Sequence, residues 1–329
     1  MRTKIVYVLV SQETDYYYEM FLLSHYSLRL HHPKGDAEVV LVMDTDTHQR
    51  LVDKKAPVLD DVTPVVVSIP EEYTIMQRSR YLKTSLRQRI EGDFLYLDTD
   101  TLVCKSIEKA DYIDANIAMV ANCHDLKSTD RFSLDRCKQA GFQKPETFFY
   151  FNSGIIYSKD SELTQSFFSN WHELWKTSVQ KEIPFDQPSL WATNQIMNYP
   201  ILEISGIWNC QLMCPLHKVH AQSALILHYY ISSRNLLFQK YIFEFIKRKG
   251  CISKAASQMA HQPYTTGISF FSGTMSDERF IDYSLSDLLH VYDYTPPAFR
   301  ILTDLSYILV RPVRLLSKLK LILQGVFTG

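Results

Sequence analysis

The first third of the chain alternates between continuous apolar runs and segments with helical spacing. Residues 4–10 (KIVYVLV) and 38–43 (EVVLVM) are apolar at nearly every position and rich in β-branched side chains, which is typical of strands buried on both faces. Between them, residues 19–30 (EMFLLSHYSLRL) carry apolar side chains at the spacing of a helix. The pattern predicts a β-α-β unit with two parallel strands.

The same alternation continues to about residue 122. A basic amphipathic helix is predicted over residues 79–90 (SRYLKTSLRQRI), and strands are predicted over 93–98, 102–107 and 116–121. This order of elements is typical of the nucleotide-binding half of an α/β protein.

After residue 122 the order of elements becomes mixed. An aromatic-rich strand is predicted over 148–158 and a helix over 161–179. A second helix falls within 184–197, where Pro188 suits the helix start, and the last strand is predicted over 224–230. We therefore expect an α/β fold whose central sheet is mixed.

The sequence also predicts how the chain is divided into a domain, a linker and an extension. With 329 residues, of which 46% are hydrophobic, it can bury a sizeable core in one large domain with an appendage. We expect a domain over 1–250 and a linker over 251–275, which is rich in Ser, Thr, Gly and Ala. Residues 276–329 are predicted to form a helical C-terminal extension.

Composition excludes several classes of protein. The 35 basic and 36 acidic residues leave a net charge of −1, so no chain-wide basic surface exists for nucleic acid. The six cysteines are irregularly spaced and contain no Cys-x-x-Cys pair, which favours a reducing compartment. The start of the chain indicates a strand rather than a signal peptide, and no apolar run reaches the ~18 residues of a membrane-spanning helix. These features predict a cytoplasmic globular protein.

The tetrapeptide Asp-Thr-Asp-Thr occurs twice, at residues 44–47 and 98–101, each time after an apolar run. The first copy leads into a short helical stretch, so its side chains can accept hydrogen bonds from the free N–H groups at a helix start. The second copy leads directly into another apolar run and has no helix to cap.

The second copy has the pattern of a metal site. In an extended chain residues i and i+2 face the same side, so Asp98 and Asp100 can face one point at the carboxyl end of a strand. Open α/β sheets bind their ligands at that end. Two close carboxylates repel each other unless a cation lies between them, which predicts Mg²⁺ or Mn²⁺ rather than a simple exposed turn.

Five segments, in this order along the chain, resemble GT-A glycosyltransferases: residues 80–103, 149–161, 186–194, 204–212 and 225–230. They are most similar to family 8, the retaining nucleotide-sugar transferases that include glycogenin and bacterial lipopolysaccharide galactosyltransferases. The resemblance implies the GT-A, Rossmann-like fold of nucleotide-diphospho-sugar transferases. It also implies metal-dependent transfer of a hexosyl group from a UDP-sugar to an acceptor hydroxyl of a glycan or glycolipid, in bacterial surface glycan or lipopolysaccharide synthesis.

The resemblance also assigns roles to individual residues. It implies that Asp98, Asp100 and His228 bind Mn²⁺, or Mg²⁺, on the donor diphosphate; Mn²⁺ accepts carboxylate and imidazole ligands together. Asp186 and Gln187 would lie beside the sugar ring, with the glutamine near the reacting carbon. The other implied donor contacts are Ser11 and Tyr17 for base and ribose, Lys83 near the donor, and Asn152, Ser153 and Gly154 around the transferred sugar.

Alternatives remain open at several of these positions. Lys83 also fits a solvated helix face shared with Arg80, Arg87 and Arg89. The Gly-Lys-Pro-Trp run that follows the metal histidine in the family is YYISSRN here, where Arg234 could replace the lysine. The acid that often follows Asp-Gln in the family is Pro188.

Two other functions compete with glycosyl transfer. The sequence FLYLDTDTLV also fits a haloacid-dehalogenase-like phosphatase, with Asp98 as nucleophile and Asp100 as its acid and base. The departures above also leave open a catalytically inactive nucleotide-sugar-binding protein. Because no isolated acid stands out as a catalytic base, the sequence favours retention over inversion.

The end of the chain combines basic and apolar residues. Residues 300–323 read as a basic amphipathic helix, which either contacts anionic lipid as a peripheral anchor or packs on the domain. The first interpretation would place the protein at the inner face of a membrane, near a lipid-linked acceptor.

Overall fold

The computed structural model describes residues 1–12, 17–125, 131–142, 149–211, 220 and 223–228. Several predictions lie outside them: the linker over 251–275, the extension over 276–329, the lipid-binding helix over 300–323, and Arg234.

The described residues form ten strands and six α-helices. The strands are β1 Lys4–Leu9, β2 Val39–Asp44, β3 Thr63–Val67, β4 Phe94–Leu97, β5 Thr101–Val103, β6 Ile117–Ala121, β7 Phe151–Ser158, β8 Ile201–Glu203, β9 Cys210–Gln211 and β10 Ile226–His228. The helices are α1 Tyr17–His31, α2 Thr45–Asp53, α3 Ile75–Thr84, α4 Arg131–Gln139, α5 Glu162–Gln180 and α6 Asp186–Ile196.

Seven of the strands form one mixed sheet in the order β3-β2-β1-β4-β7-β6-β8. Strands β1 to β4 are parallel, β7 runs antiparallel to both β4 and β6, and β8 is parallel to β6. A second, three-stranded sheet has the order β5-β10-β9. The predicted α/β fold with a mixed central sheet is confirmed, including the β1-α1-β2 unit.

Apolar side chains cover both faces of the large sheet. Phe21 and Leu28 of α1 belong to the cluster on one face, and Leu82 of α3 and Phe167 of α5 belong to the cluster on the other. Because β1, β2 and β4 are covered twice, almost every one of their side chains is buried, which explains their continuous apolar runs. None of the described helices is both long and apolar enough to cross a membrane.

The predicted helix over 79–90 is wrong in its bounds. Helix α3 begins at Ile75, because the Thr74 side chain accepts from the Gln77 backbone while Gln77 caps Thr74 in return, and it ends at Thr84. A short 3₁₀ turn, Leu86–Gln88, follows.

The solvated-face interpretation of this segment is also wrong for two of its cations. Lys83 and Arg87 are each 1% exposed. The Arg87 guanidinium donates to the backbone carbonyls of Ile90, Gly92 and Ser158, so its charge is buried among acceptors rather than in water.

The first Asp-Thr-Asp-Thr copy caps α2, as predicted. Asp44 accepts a 2.9 Å hydrogen bond from the Thr47 backbone N–H. The charge of Asp44, which is 1% exposed, is balanced by Arg78 of α3, whose Nη1 lies 3.0 Å from Asp44 and 2.7 Å from the exposed Asp46. An arginine is therefore the counter-ion shared by the two carboxylates of this copy.

Replacing Arg78 with methionine should strongly destabilise the fold. The substitution Arg78→Met leaves the Asp44 charge buried without its partner, which typically costs about 3–5 kcal/mol. The free energy of unfolding in urea would measure the loss. Asp46→Asn is the control, because Asp46 is exposed and its removal should cost no more than about 1 kcal/mol. Equal effects of the two substitutions would contradict this account of the Arg78–Asp44 pair.

Candidate active site

The second Asp-Thr-Asp-Thr copy forms the turn between the two sheets, at the carboxyl end of β4. The Asp98 backbone N–H donates to the Gly154 carbonyl at 2.8 Å, which ties the turn to β7. Thr101 donates to the Asp98 carbonyl at 2.7 Å and shares a 2.9 Å hydrogen bond with Ser24 of α1. Two neighbouring elements, β7 and α1, therefore hold the turn, and one internal hydrogen bond closes it.

Strand pairing brings His228 to this turn. Strands β10 and β5 pair antiparallel, with His228 opposite Thr101. Thr101 directly follows Asp100 in the sequence, so the pairing brings His228 beside Asp100. Its Nε2 is 3.2 Å from an Asp100 oxygen. One ligand atom from each of Asp98, Asp100 and His228 lies within 4.8 Å of the other two. This set of two carboxylates and one imidazole fits a divalent cation such as Mn²⁺.

The ring of His228 is fixed from behind. Its Nδ1 lies 3.0 Å from the Asn209 side-chain oxygen, and the Asn209 amide donates to Asn152 at 2.8 Å. The ring also packs against Gly154, where a Cβ atom would lie 2.2 Å from His228 Cε1. A glycine is needed here for close approach, so the sequence order Asn152-Ser153-Gly154 shapes the wall of the site.

Lys83 connects the candidate metal ligands to the candidate catalytic residues. Its ammonium group is 3.1 Å from an Asp98 oxygen and 3.2 Å from an Asp186 oxygen, and it donates to the Ser153 hydroxyl at 3.2 Å. The Tyr96 hydroxyl also donates to Asp98. Lys83 therefore lies at the centre of a buried network that joins these candidate site residues.

Charge pairing keeps Asp186 ionised. Burial opposes its ionisation, but Lys83 and Arg80, whose Nε lies 3.1 Å from Asp186, outweigh this and hold its pKa well below the usual range. Burial and the Asp98 carboxylate raise the pKa of Tyr96 well above its ordinary value. At neutral pH, Tyr96 is a hydrogen-bond donor and Asp186 an acceptor.

Asp186 and Gln187 begin α6 and point to different neighbours. Asp186 is 4% exposed, and its two carboxylate oxygens face Arg80 and Lys83. The Gln187 amide donates to the Asn122 side chain at 3.3 Å and to the Phe151 carbonyl at 3.1 Å. The placement of Asp186 and Gln187 beside a sugar ring remains a prediction.

Ser11 lies beside the first tetrapeptide copy, whereas Tyr17 is an electrostatic neighbour of Arg80. The Ser11 backbone N–H donates to Thr47 of α2 at 3.0 Å, at the carboxyl end of β1. Tyr17 is the first residue of α1 and is partly exposed. These contacts hold Ser11 to α2, and the role of either residue in base or ribose binding remains a prediction.

Three residues of the site were not assigned from the sequence. Tyr96 stands two positions before Asp98 and Arg80 three before Lys83, so strand and helix periodicity could have indicated both. Asn209 carries no such local signal, because its contacts are to residues distant in sequence.

Substituting Gly154 should show how closely the imidazole packs. Gly154→Ala places a methyl group inside the van der Waals radius of His228 and should cost about 1–3 kcal/mol of stability. In a His228→Ala background the ring is absent, so the same substitution should cost clearly less. A double-mutant cycle of unfolding free energies measures the difference, and strict additivity would refute the clash.

The stability contributed by Asp186 should depend on pH. Because its folded pKa lies below the unfolded value, its contribution is present above about pH 4 and is lost as the pH falls towards the folded pKa. Asp186→Asn should therefore be less stable than the wild type at pH 7, and the gap should narrow in acid. Urea unfolding of both proteins from pH 7 to pH 2 tests this; a constant gap would contradict it.

Comparisons with known proteins give the family. The model of glycosyl transferase family 8 matches residues 68–233, just over half of the chain. No curated protein sequence matches. Among solved structures, apo mouse xyloside xylosyltransferase 1 is similar at 14% identity and TM-score 0.46, over 69% of this chain and 97% of that one.

The glycosyltransferase GlyE of Streptococcus pneumoniae TIGR4 is similar at 14% identity and TM-score 0.48, over 81% of this chain and 65% of that one. This chain thus spans slightly less than two thirds of GlyE. The family match carries the assignment, and the mixed α/β architecture agrees with it. The protein is a member of glycosyltransferase family 8 and an enzyme with the GT-A fold.

Proposed function

We propose that this glycosyltransferase transfers a hexosyl group from a UDP-sugar to an acceptor hydroxyl, with Mn²⁺ or Mg²⁺ bound by Asp98, Asp100 and His228. The observation that carries the proposal is the convergence of one ligand atom from each of these residues within 4.8 Å. Strand pairing between β5 and β10 produces this convergence from residues about 130 positions apart. When bound, the ion would act as a Lewis acid towards the leaving diphosphate.

Lys83 and Arg80 add positive charge beside the three carboxylates. Lys83 is buried against Asp98 and Asp186, whereas the Arg80 side chain is 29% exposed and can meet an anionic donor. Buried charges held in fixed positions stabilise developing negative charge without rearranging, which is the main source of catalysis in many enzymes. The two cations would therefore orient the donor and stabilise the departing phosphate.

The neighbouring polar residues would position the sugar. Ser153 and Gly154 stand beside Lys83 and His228, and Gly154 leaves space for the approach of a ligand. Gln187, which donates to Asn122, would lie near the reacting carbon. We propose retention of configuration at the transferred sugar, with the leaving phosphate taking the proton of the acceptor hydroxyl.

Family membership favours glycosyl transfer over the phosphatase and over a binding-only protein. A phosphate-ester assay without sugar donor tests the phosphatase directly.

The cellular role is a further part of the proposal. We propose synthesis of a bacterial surface glycan or lipopolysaccharide at the inner face of the membrane, with residues 300–323 as a peripheral contact. Unchanged sedimentation with liposomes after deletion of residues 300–329 would remove the membrane contact from the proposal.

Removing either candidate metal carboxylate should strongly reduce transfer. Asp98→Asn and Asp100→Asn should each lower Mn²⁺-dependent UDP release from the preferred UDP-sugar by at least about 100-fold, the scale of a single electrostatic group in a transition state. A thermal-shift and hydrolysis screen of nucleotide sugars would first identify the donor.

The chain offers a matched control for this experiment. Asp46→Asn is the same substitution in the same tetrapeptide, but in the copy that caps α2, and it should leave UDP release within about twofold of the wild type. Full activity of Asp98→Asn or Asp100→Asn would show that the site assignment is wrong.

A further inference from the structure

Asn209 lies between the candidate metal histidine and the Asn152-Ser153-Gly154 segment. It is completely buried, between the 3₁₀ turn Gly206–Trp208 and β9. Its side-chain oxygen is 3.0 Å from His228 Nδ1, and its amide donates to the Asn152 side-chain oxygen at 2.8 Å. The amide thus has one neighbour at each end.

The direction of these hydrogen bonds follows from a backbone group. The Gly154 backbone N–H can only donate, and it donates to Asn152 Oδ1 at 2.9 Å. That oxygen is therefore an acceptor, so Asn209 presents its NH₂ group to it. The carbonyl oxygen of Asn209 then faces His228, and the proton of the neutral ring belongs on Nδ1.

The consequence lies on the other side of the ring. With the proton on Nδ1, the lone pair of Nε2 points towards the Asp100 carboxylate, 3.2 Å away. Two acceptors at this distance repel each other unless a proton or a cation lies between them. The hydrogen bonds that begin at Gly154 therefore prepare Nε2 to bind a cation.

We propose that Asn209 is a positioning residue for the metal site: it selects the Nδ1–H tautomer of His228 and holds the ring in the plane that directs Nε2 to Asp100. This inference rests on the proposed function, in which His228 is a metal ligand. Groups that orient a ligating histidine typically change metal affinity by 10–100-fold when they are removed.

The hydrogen bonds from Gly154 through Asn152 and Asn209 to His228 also connect the proposed sugar-binding segment with the proposed metal site. Asn152 and Gly154 belong to the segment proposed to contact the sugar, whereas His228 belongs to the proposed metal site. A shift of Asn152 would move Asn209 and the imidazole together. The geometry of the sugar segment and that of the metal ligands are therefore coupled through one amide side chain.

Asn209→Leu removes the amide and keeps the size of the side chain. We expect the affinity for Mn²⁺ alone, measured by isothermal titration calorimetry without donor, to fall about 10–100-fold. Asn194→Leu is the control. Asn194 lies in α6, is 1% exposed, and its side-chain oxygen accepts from the Ile201 backbone N–H at 3.2 Å. The same substitution there should reduce stability without changing the affinity for Mn²⁺.

A second measurement does not need the metal. Nitrogen-15 chemical shifts of the metal-free protein at high pH report which ring nitrogen of His228 carries the proton, with His228→Gln identifying the signals. The wild type should show the Nδ1–H form. Asn209→Leu should shift the ring towards Nε2–H, because the substitution removes the Asn209 oxygen that accepts from Nδ1.

The outcomes separate this inference from the proposed function. If the wild type and Asp100→Asn bind Mn²⁺ equally, or neither binds it, the proposed metal site is wrong and the inference falls with it. If Asp100→Asn loses Mn²⁺ while Asn209→Leu keeps wild-type affinity, or keeps the Nδ1–H form, only the role of Asn209 is overturned. Equal losses in Asn209→Leu and Asn194→Leu would also overturn it.

Discussion

The candidate site depends on the ion pairs and the hydrogen bond made by the buried ammonium group of Lys83. This group lies within hydrogen-bond distance of Asp98, Asp186 and Ser153, and it is almost completely excluded from water. A buried charge is tolerated only when it is paired and hydrogen-bonded. Because Lys83 and its partners come from a helix, a turn, a strand and the start of another helix, their mutual neutralisation fixes four elements around one point.

The rest of the site is arranged around that point by the meeting of two sheets. The large sheet supplies the carboxyl end of β4 and the segment at the start of β7, and the small sheet supplies His228. Histidine and aspartates approach because β10 pairs with β5 in a fixed register. A one-residue slip of that register would turn the imidazole to the opposite face of the small sheet. Backbone pairing thus determines where the imidazole lies, and side-chain hydrogen bonds determine its orientation.

The two Asp-Thr-Asp-Thr copies show how context decides chemistry. One carboxylate oxygen of Asp44 accepts a hydrogen bond at the start of α2, and the other forms an ion pair with Arg78. Asp98 has no helix to cap and meets Lys83 instead, with Asp100 directed to His228. Both counter-ions belong to α3, so this helix contacts both copies. Identical tetrapeptides therefore have different partners, because the chain that follows each one differs.

Much of the fold could be predicted from the sequence because local patterns have local causes. Continuous apolar runs indicated β1, β2 and β4, since strands covered on both faces have no polar side to show. The absence of a helix after residue 101 separated the two tetrapeptide copies. The predicted bounds of α3 are wrong because the capping pair Thr74 and Gln77, which is local in sequence, sets the helix start at Ile75.

Tertiary structure decided what depends on residues far apart in the chain. Whether Lys83 is solvated or buried, and whether His228 reaches Asp100, depends on packing and strand register. Asn209 gains its place only when β7, β9 and β10 assemble around it. The sequence by itself determined the order of strands and helices and the carboxylate pair at 98 and 100, because periodicity and spacing are properties of neighbouring residues. Only the folded chain could decide which charges and lone pairs face one another, because that depends on three-dimensional distance.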